Sequence, residues 1–265
     1  MVLDRRSLAI ALAACASTAA TLPLAADPIP RDLWRSDPVA AERRVEPLRH
    51  KLLDLSDDPA GLSADEAASL TLRKAELLFE IAQVDHLVAL NDRRDCLARA
   101  AQRRNEPNCP DLPTPDFAAA SDAYLDFLTR HPDHPQADLA LFHLGWGLMA
   151  MGRDRRAANF LEHLLSHHRG SRFIPDAHLI MAEFWFDRGM LQDARHSYEA
   201  VITRMGSPLL DYALYKLAWI HHLLDDHRHA VRMLEEVIAL TRAEPDRQPI
   251  LETLYRELEQ MRAAR

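Results

Sequence analysis

The chain has 265 residues, a formal net charge of −8, 48% hydrophobic and 27% charged residues, and only 7 glycines. That balance excludes a disordered chain, and the negative charge excludes general nucleic-acid binding, which works by neutralising phosphates with Lys and Arg. Ala and Leu are frequent while Val, Ile and Thr are sparse, which favours helices over strands because straight side chains lose little rotamer freedom in a helix.

The first element reads as an export signal. Arg5-Arg6 precedes the run SLAIALAACASTAATLPLAAD, which ends at Asp27. A positive start, an apolar middle and a small-residue end are the anatomy of a secretory signal. Two processing sites stay open. Leu24-Ala25-Ala26 suits ordinary cleavage and gives a signal peptide over 1–26; Leu12-Ala13-Ala14-Cys15 is similar to a lipoprotein signal over 1–14, which would leave Cys15 lipidated. Either exit puts the mature protein outside the cytoplasm, in the periplasm or at the outer membrane. A lipid on Cys15 would be its membrane attachment, since no internal apolar run reaches transmembrane length. Cys96 and Cys109 then remain, and in an oxidising compartment two such cysteines pair. Closing so short a loop adds about 3 kcal/mol in the chain-entropy picture.

Residues 27–39 read as a linker, and 40–62 as an N-terminal helix interrupted by Pro47. Over 71–132 the helical run Arg73–Leu90, with Ala82 as its small position, and the run carrying Ala120 and Tyr124 read as one helix pair. An insertion containing Cys96, Cys109 and PNCPDLPTPD splits them, so the disulfide would staple an elongated helix to its connector. Three regular pairs follow, over 137–170, 174–206 and 209–242. Each carries a small residue, an Ala twelve further on, and a Leu or Tyr four beyond that: Gly145, Ala157 and Leu161; Ala182, Ala194 and Tyr198; Ala218, Ala230 and Leu234. The small positions recur after 37 and then 36 residues, the mark of an array of units each too small to bury its own apolar face. A small residue there lets the paired helix approach closely, and a large one would overpack by about 1–3 kcal/mol. Gly152-Arg153-Asp154, Gly189-Met190 and Asp225-Asp226 supply the turns, and Pro135, Pro175 and Pro208 sit where first helices begin. Residues 247–264 read as a capping helix.

Small residue, x11, Ala, x3, then an aromatic residue or Leu resembles the tetratricopeptide repeat (TPR). Leu144, Met181 and Leu217 fill the family's apolar position before the small residue, and Trp185 fills its aromatic position in one unit. The family's closing Pro is replaced by Arg169 and Gly206. The resemblance implies an all-α fold, a TPR-like α-solenoid of about four antiparallel helix pairs with a concave inner face, and a non-enzymatic scaffold that binds other envelope proteins or peptides. The unit lengths and the phrase YALYKLAW are similar to periplasmic and outer-membrane-associated bacterial members, among them the Tol–Pal coordinator and the myxobacterial gliding-motility apparatus. In that family the first-helix positions three before, one after and four after the small residue face the groove. Carried onto this chain, they nominate Phe79, Phe142, Trp146, Met149, Glu183, Phe186, Tyr215, Trp219 and His222 as partner-binding. The same columns equally suit contacts between neighbouring first helices, since aromatic stripes at helical spacing are commonly core.

No phosphate loop, HExxH, GxSxG or Cys-x-x-Cys is present, so neither an enzyme nor a cofactor is expected. The competing reading is a metal-binding or hydrolytic periplasmic protein using clustered histidines. Its candidates are His163 and His167, at i and i+4, or the stretch Asp211–Ala230 with four histidines. Within that stretch His221 and His222 diverge by about 100° on a helix and do not readily share an ion. His227 and His229 fall in and just after a turn, where polar residues are ordinary. No metal is therefore expected, and the sequence does not set the oligomeric state.

Overall fold

The computed structural model describes residues 38–55, 62–103, 108–111, 113–203, 209–242 and 248–263. The signal segment with Cys15, residues 27–37 of the linker, Gly206, Pro208 and Arg247 lie outside the described residues. Among the described residues the structure is all-α: α1 Pro38–Asp54, α2 Ala64–Arg103, α3 Ala118–Arg130, α4 Ala137–Ala150, α5 Asp154–His167, α6 Ile174–Asp187, α7 Leu191–Ile202, α8 Leu210–Leu223, α9 His227–Arg242 and α10 Gln248–Ala263. None of these helices is long and apolar enough to cross a membrane. They fall into two compact units that divide between Ala177 and His178.

In the first unit each helix packs on the next in the chain, from α1 to α5. Helix α2 begins at Ala64 because Ser63 and Glu66 form a reciprocal cap: the Ser63 N–H donates to Glu66 Oε2 at 2.8 Å and the Glu66 N–H to Ser63 Oγ at 3.3 Å. It runs 40 residues, well past the expected Arg73–Leu90, because no Gly or Pro interrupts it before Pro107. One face of α2 takes α1 through Val45 and Leu48 on Leu77 and Val84. Another takes α3 through Ala68, Leu72, Ala75 and Phe79 on Ala120, Tyr124 and Phe127.

The long end of α2 is strapped. Cys96 and Cys109 are disulfide-bonded, and Arg93 Nε donates to Pro110 O at 3.1 Å. The ring of Phe117 then lies 5.0 Å from that of Phe79. The connector thus returns along the helix it left. This return docks α3 nearer the start of α2 than a short turn would. Ala82, expected to be the small position, is only half-buried, whereas Ala75, two turns earlier on the same face, is fully buried.

The remaining small positions behave alike. Gly145, Ala157, Ala182, Ala194, Ala218 and Ala230 are all buried. Three turns are superimposable in their bonding. Gly152, Gly189 and Asp225 adopt φ of 70°, 71° and 61°, and each lies seven residues after its unit's small position. The following N–H reaches back five residues in each case: Arg153 to Leu148 O at 2.8 Å, Met190 to Trp185 O at 3.0 Å, Asp226 to His221 O at 2.8 Å. This is a Schellman C-cap, and a three-residue turn of this kind leaves the two helices antiparallel. In the second unit α7 packs on α8, α8 on α9 and α9 on α10. Leu251, Leu254, Leu258 and Met261 of α10 share one core with Leu214, Ala218, Ala230 and Leu234, so α10 covers the apolar face of the last pair.

Candidate functional site

The nominated partner-binding residues divide by depth. Phe79, Phe142, Phe186 and Tyr215 are buried, while Trp146, Met149, Glu183, Trp219 and His222 are half-buried. The first group fills space between helices and offers no surface to a partner.

In the first unit the filling is an aromatic nest. The Phe79 ring stacks on His143 at 4.5 Å and meets Trp146 edge-on at 5.2 Å, a preferred geometry for ring quadrupoles. Phe142 stacks on Phe173 at 4.7 Å. Burial, reinforced by the charge of Arg172, lowers the His143 pKa to about 4. The ring is therefore neutral at pH 7, and the Tyr124 hydroxyl, 2.7 Å away, donates to its Nδ1. Trp146 and Met149 border this nest and keep part of their surface in solvent.

In the second unit Glu183 is not a groove residue but the hub of three helices. Its carboxylate accepts from the Tyr198 hydroxyl of α7, from the Tyr212 hydroxyl of α8 at 3.0 Å, and from Lys216 Nζ of α8 at 2.8 Å. The Glu183 and Lys216 side chains are 16% and 11% exposed. Lys216 also sits over the Phe186 ring, 4.6 Å from its centroid. Burial and the Glu183 charge push both tyrosines above their ordinary pKa, so both remain hydrogen-bond donors. Sequence reasoning missed this hub because its members lie 15 to 33 residues apart.

Tyr215 and Trp219 face α10. Tyr215 donates to Glu257 Oε1 at 3.2 Å. Burial raises the Glu257 pKa to about 7, against the opposing pull of Tyr215, Trp219 and Arg256. The Trp219 indole N–H approaches Glu257 but falls short of a well-formed hydrogen bond. Trp219 meets His222 edge-on at 5.8 Å, and His222 lies 5.3 Å from His227.

The histidine candidates separate as well. His163 and His167 stack at 4.2 Å on the exposed face of α5, with His167 Nδ1 already 2.7 Å from Ser166 Oγ. Among the described residues, the group of three possible metal ligands is a different one, His221, Asp226 and His229. It combines the last turn of α8 with the start of α9. Sequence reasoning treated those histidines separately; the missing signal was the intervening Schellman turn, which folds position 221 back over positions 226 and 229.

The profile of the family described as Anaphase-promoting complex subunit 5 matches residues 180–260. No curated protein matches the chain. Two crystal structures of a kinesin light chain from Podosopora anserina with nearly identical TPR-like repeats, one of them a point variant, each cover 66% of this chain and 95% of their own. Both are 16% identical to it, with a TM-score of 0.42. The helix pairs described above, with small residues buried at a 36–37-residue period and a common Schellman turn, make the fold TPR-like.

Proposed function

We propose that the protein is a non-enzymatic scaffold of the bacterial envelope that holds a peptide or protein partner on its first-helix residues. The observation that carries this reading is a recurrence of register. One and four residues after the small position, Trp146 and Met149 in the first unit and Trp219 and His222 in the second are half-buried rather than sunk in the core. A tryptophan held by its neighbours yet partly open offers large apolar area at little entropic cost, the usual make-up of a binding hot spot. Glu183 leaves the partner-binding set, because its carboxylate is already engaged within the second unit.

The envelope address rests on the N-terminal charge and hydropathy pattern, and TPR arrays generally act by binding proteins rather than by catalysis. The test is in-cell photo-cross-linking from positions 149 and 222. The reading expects a discrete envelope-protein adduct that disappears with Trp146→Ala or Trp219→Ala. A clean background from both positions would count against it. Fractionation with radiolabelled palmitate, using Cys15→Ser as control, decides between lipidated and cleaved forms.

A further inference from the structure

We infer that His221, Asp226 and His229 form a binding site for a borderline divalent transition-metal ion, of the zinc, nickel or copper(II) class, that staples the α8–α9 hairpin. Both imidazoles present Nδ1 to the same carboxylate oxygen: Asp226 Oδ2 lies 3.2 Å from His221 Nδ1 and 2.8 Å from His229 Nδ1. All three ligand atoms fall within 4.8 Å of one another. Ligands of a tetrahedral zinc centre, at about 2.0–2.1 Å from the ion, stand about 3.3 Å apart; both Asp226–imidazole separations lie within about half an ångström of that spacing, and closing the two imidazoles onto one ion asks only the half-exposed His229 ring to move. Two imidazoles and one carboxylate match borderline metals rather than calcium or magnesium, which take oxygen ligands. Three protein ligands leave a fourth position for water.

The backbone holds this set before any ion arrives. The Asp226 N–H is bonded to His221 O at 2.8 Å and the Ala230 N–H to Asp226 O at 3.1 Å, on either side of Asp225 at φ 61°. The rings of His221 and His229 are already stacked, 5.2 Å apart and 24° from parallel. His221 is nearly buried and fixed, whereas Asp226 and His229 are 41% and 50% exposed, which gives the ion a way in. Two features oppose a cation there. The N-terminus of α9 carries partial positive charge, and Arg195 of α7 faces His221. The Asp226 carboxylate offsets them, and the half-exposed position of Asp226 and His229 lets solvent and salt screen both.

The experiment uses the full chain, stripped with chelator, titrated with Zn²⁺ by calorimetry and followed by thermal melting. The site predicts one saturable equivalent and a rise in melting temperature. His229→Ala removes a half-exposed ligand and weakens binding at least about tenfold, while His163→Ala, which breaks the other exposed histidine pair, leaves binding unchanged. Asp226→Asn, which keeps the backbone bonds of the turn, also weakens it. Absence of saturable binding, binding that survives both His229→Ala and Asp226→Asn in folded protein, or binding lost with His163→Ala would each overturn the assignment. Competition by excess Mg²⁺ would overturn the metal class.

Discussion

A methyl group on Gly145 would lie 2.7 Å from both Cγ and Cδ2 of Leu161 and 3.5 Å from the carbonyl oxygen of Ala157. Leu161 is fully buried, and the clash reaches its Cγ rather than a methyl tip alone. Ala in a helix interior is otherwise favoured over Gly by about 1 kcal/mol, yet overpacking at a rigid neighbour costs about 1–3 kcal/mol, so the clash decides the sign. Gly145→Ala is expected to destabilise the first unit by up to about 2 kcal/mol in equilibrium urea unfolding. In a Leu161→Ala background the same substitution should become neutral or stabilising. A destabilisation of equal size in both backgrounds would mean that Gly145 is not kept small by Leu161.

Asp225 occupies the left-handed position that Gly152 and Gly189 fill in the sister turns. An L side chain there costs about 1 kcal/mol, less for Asp than for most residues, whereas Gly carries no such penalty. Asp225→Gly should therefore raise the unfolding free energy by up to about 1 kcal/mol. Asp225→Ala should lower it. The comparison needs only thermal melts of three proteins, and an Ala variant as stable as the Gly variant would show that the turn does not constrain φ.

The Glu183–Lys216 pair is more expensive to break than a surface ion pair, because both side chains are largely out of water. Glu183→Ala strands a buried ammonium and two tyrosine hydroxyls, and is expected to cost about 3–5 kcal/mol. Lys216→Met leaves the carboxylate with its two hydroxyl donors and should cost less. A double-mutant cycle in urea should return a coupling energy above about 1 kcal/mol; additivity within about 0.5 kcal/mol would show that the two groups do not act on one another.

The residues that were legible in the sequence were those whose role is steric. A small side chain facing a close helix and a glycine at positive φ are constraints each position bears alone, so Gly145, Ala182, Ala218, Gly152 and Gly189 could be read off the period. Glu183 could not, because an acid one place after the small residue is equally a solvated group, a groove group or a hub. Its three partners are fixed only when α6, α7 and α8 pack. Ala82 was misplaced for a related reason: the strap that returns α3 along α2 shifts the docking by two turns, and periodicity cannot count turns across an insertion. The Ser63/Glu66 cap was readable as S-x-x-E and would have placed the start of α2 correctly. The His221–Asp226–His229 group needed the turn's three-dimensional path, since spacings of five and three belong to no single helix face.

His143 makes the first unit sensitive to acid, and the sign follows from its neutral burial. Its folded pKa is about 4, below the ordinary 6.5, so between those values the unfolded chain binds the proton and the folded chain does not. Stability is then fully present above about pH 6.5 and declines as the pH falls towards 4, by on the order of 3 kcal/mol for a depression of this size. The groups that face the ring are the Tyr124 hydroxyl, the rings of Phe79, Phe142 and Phe173, and the guanidinium of Arg172; none supplies a carboxylate that would welcome the proton. His86, also held below its usual pKa by burial, adds a smaller slope of the same sign. The measurement is therefore a difference: urea midpoints at pH 7 and pH 5 for the parent and for His143→Gln, which keeps a hydrogen-bonding group for Tyr124 but cannot titrate in this range. The variant should be less stable at pH 7 and lose markedly less between the two pH values. Parallel losses in the two proteins would place the acid sensitivity elsewhere.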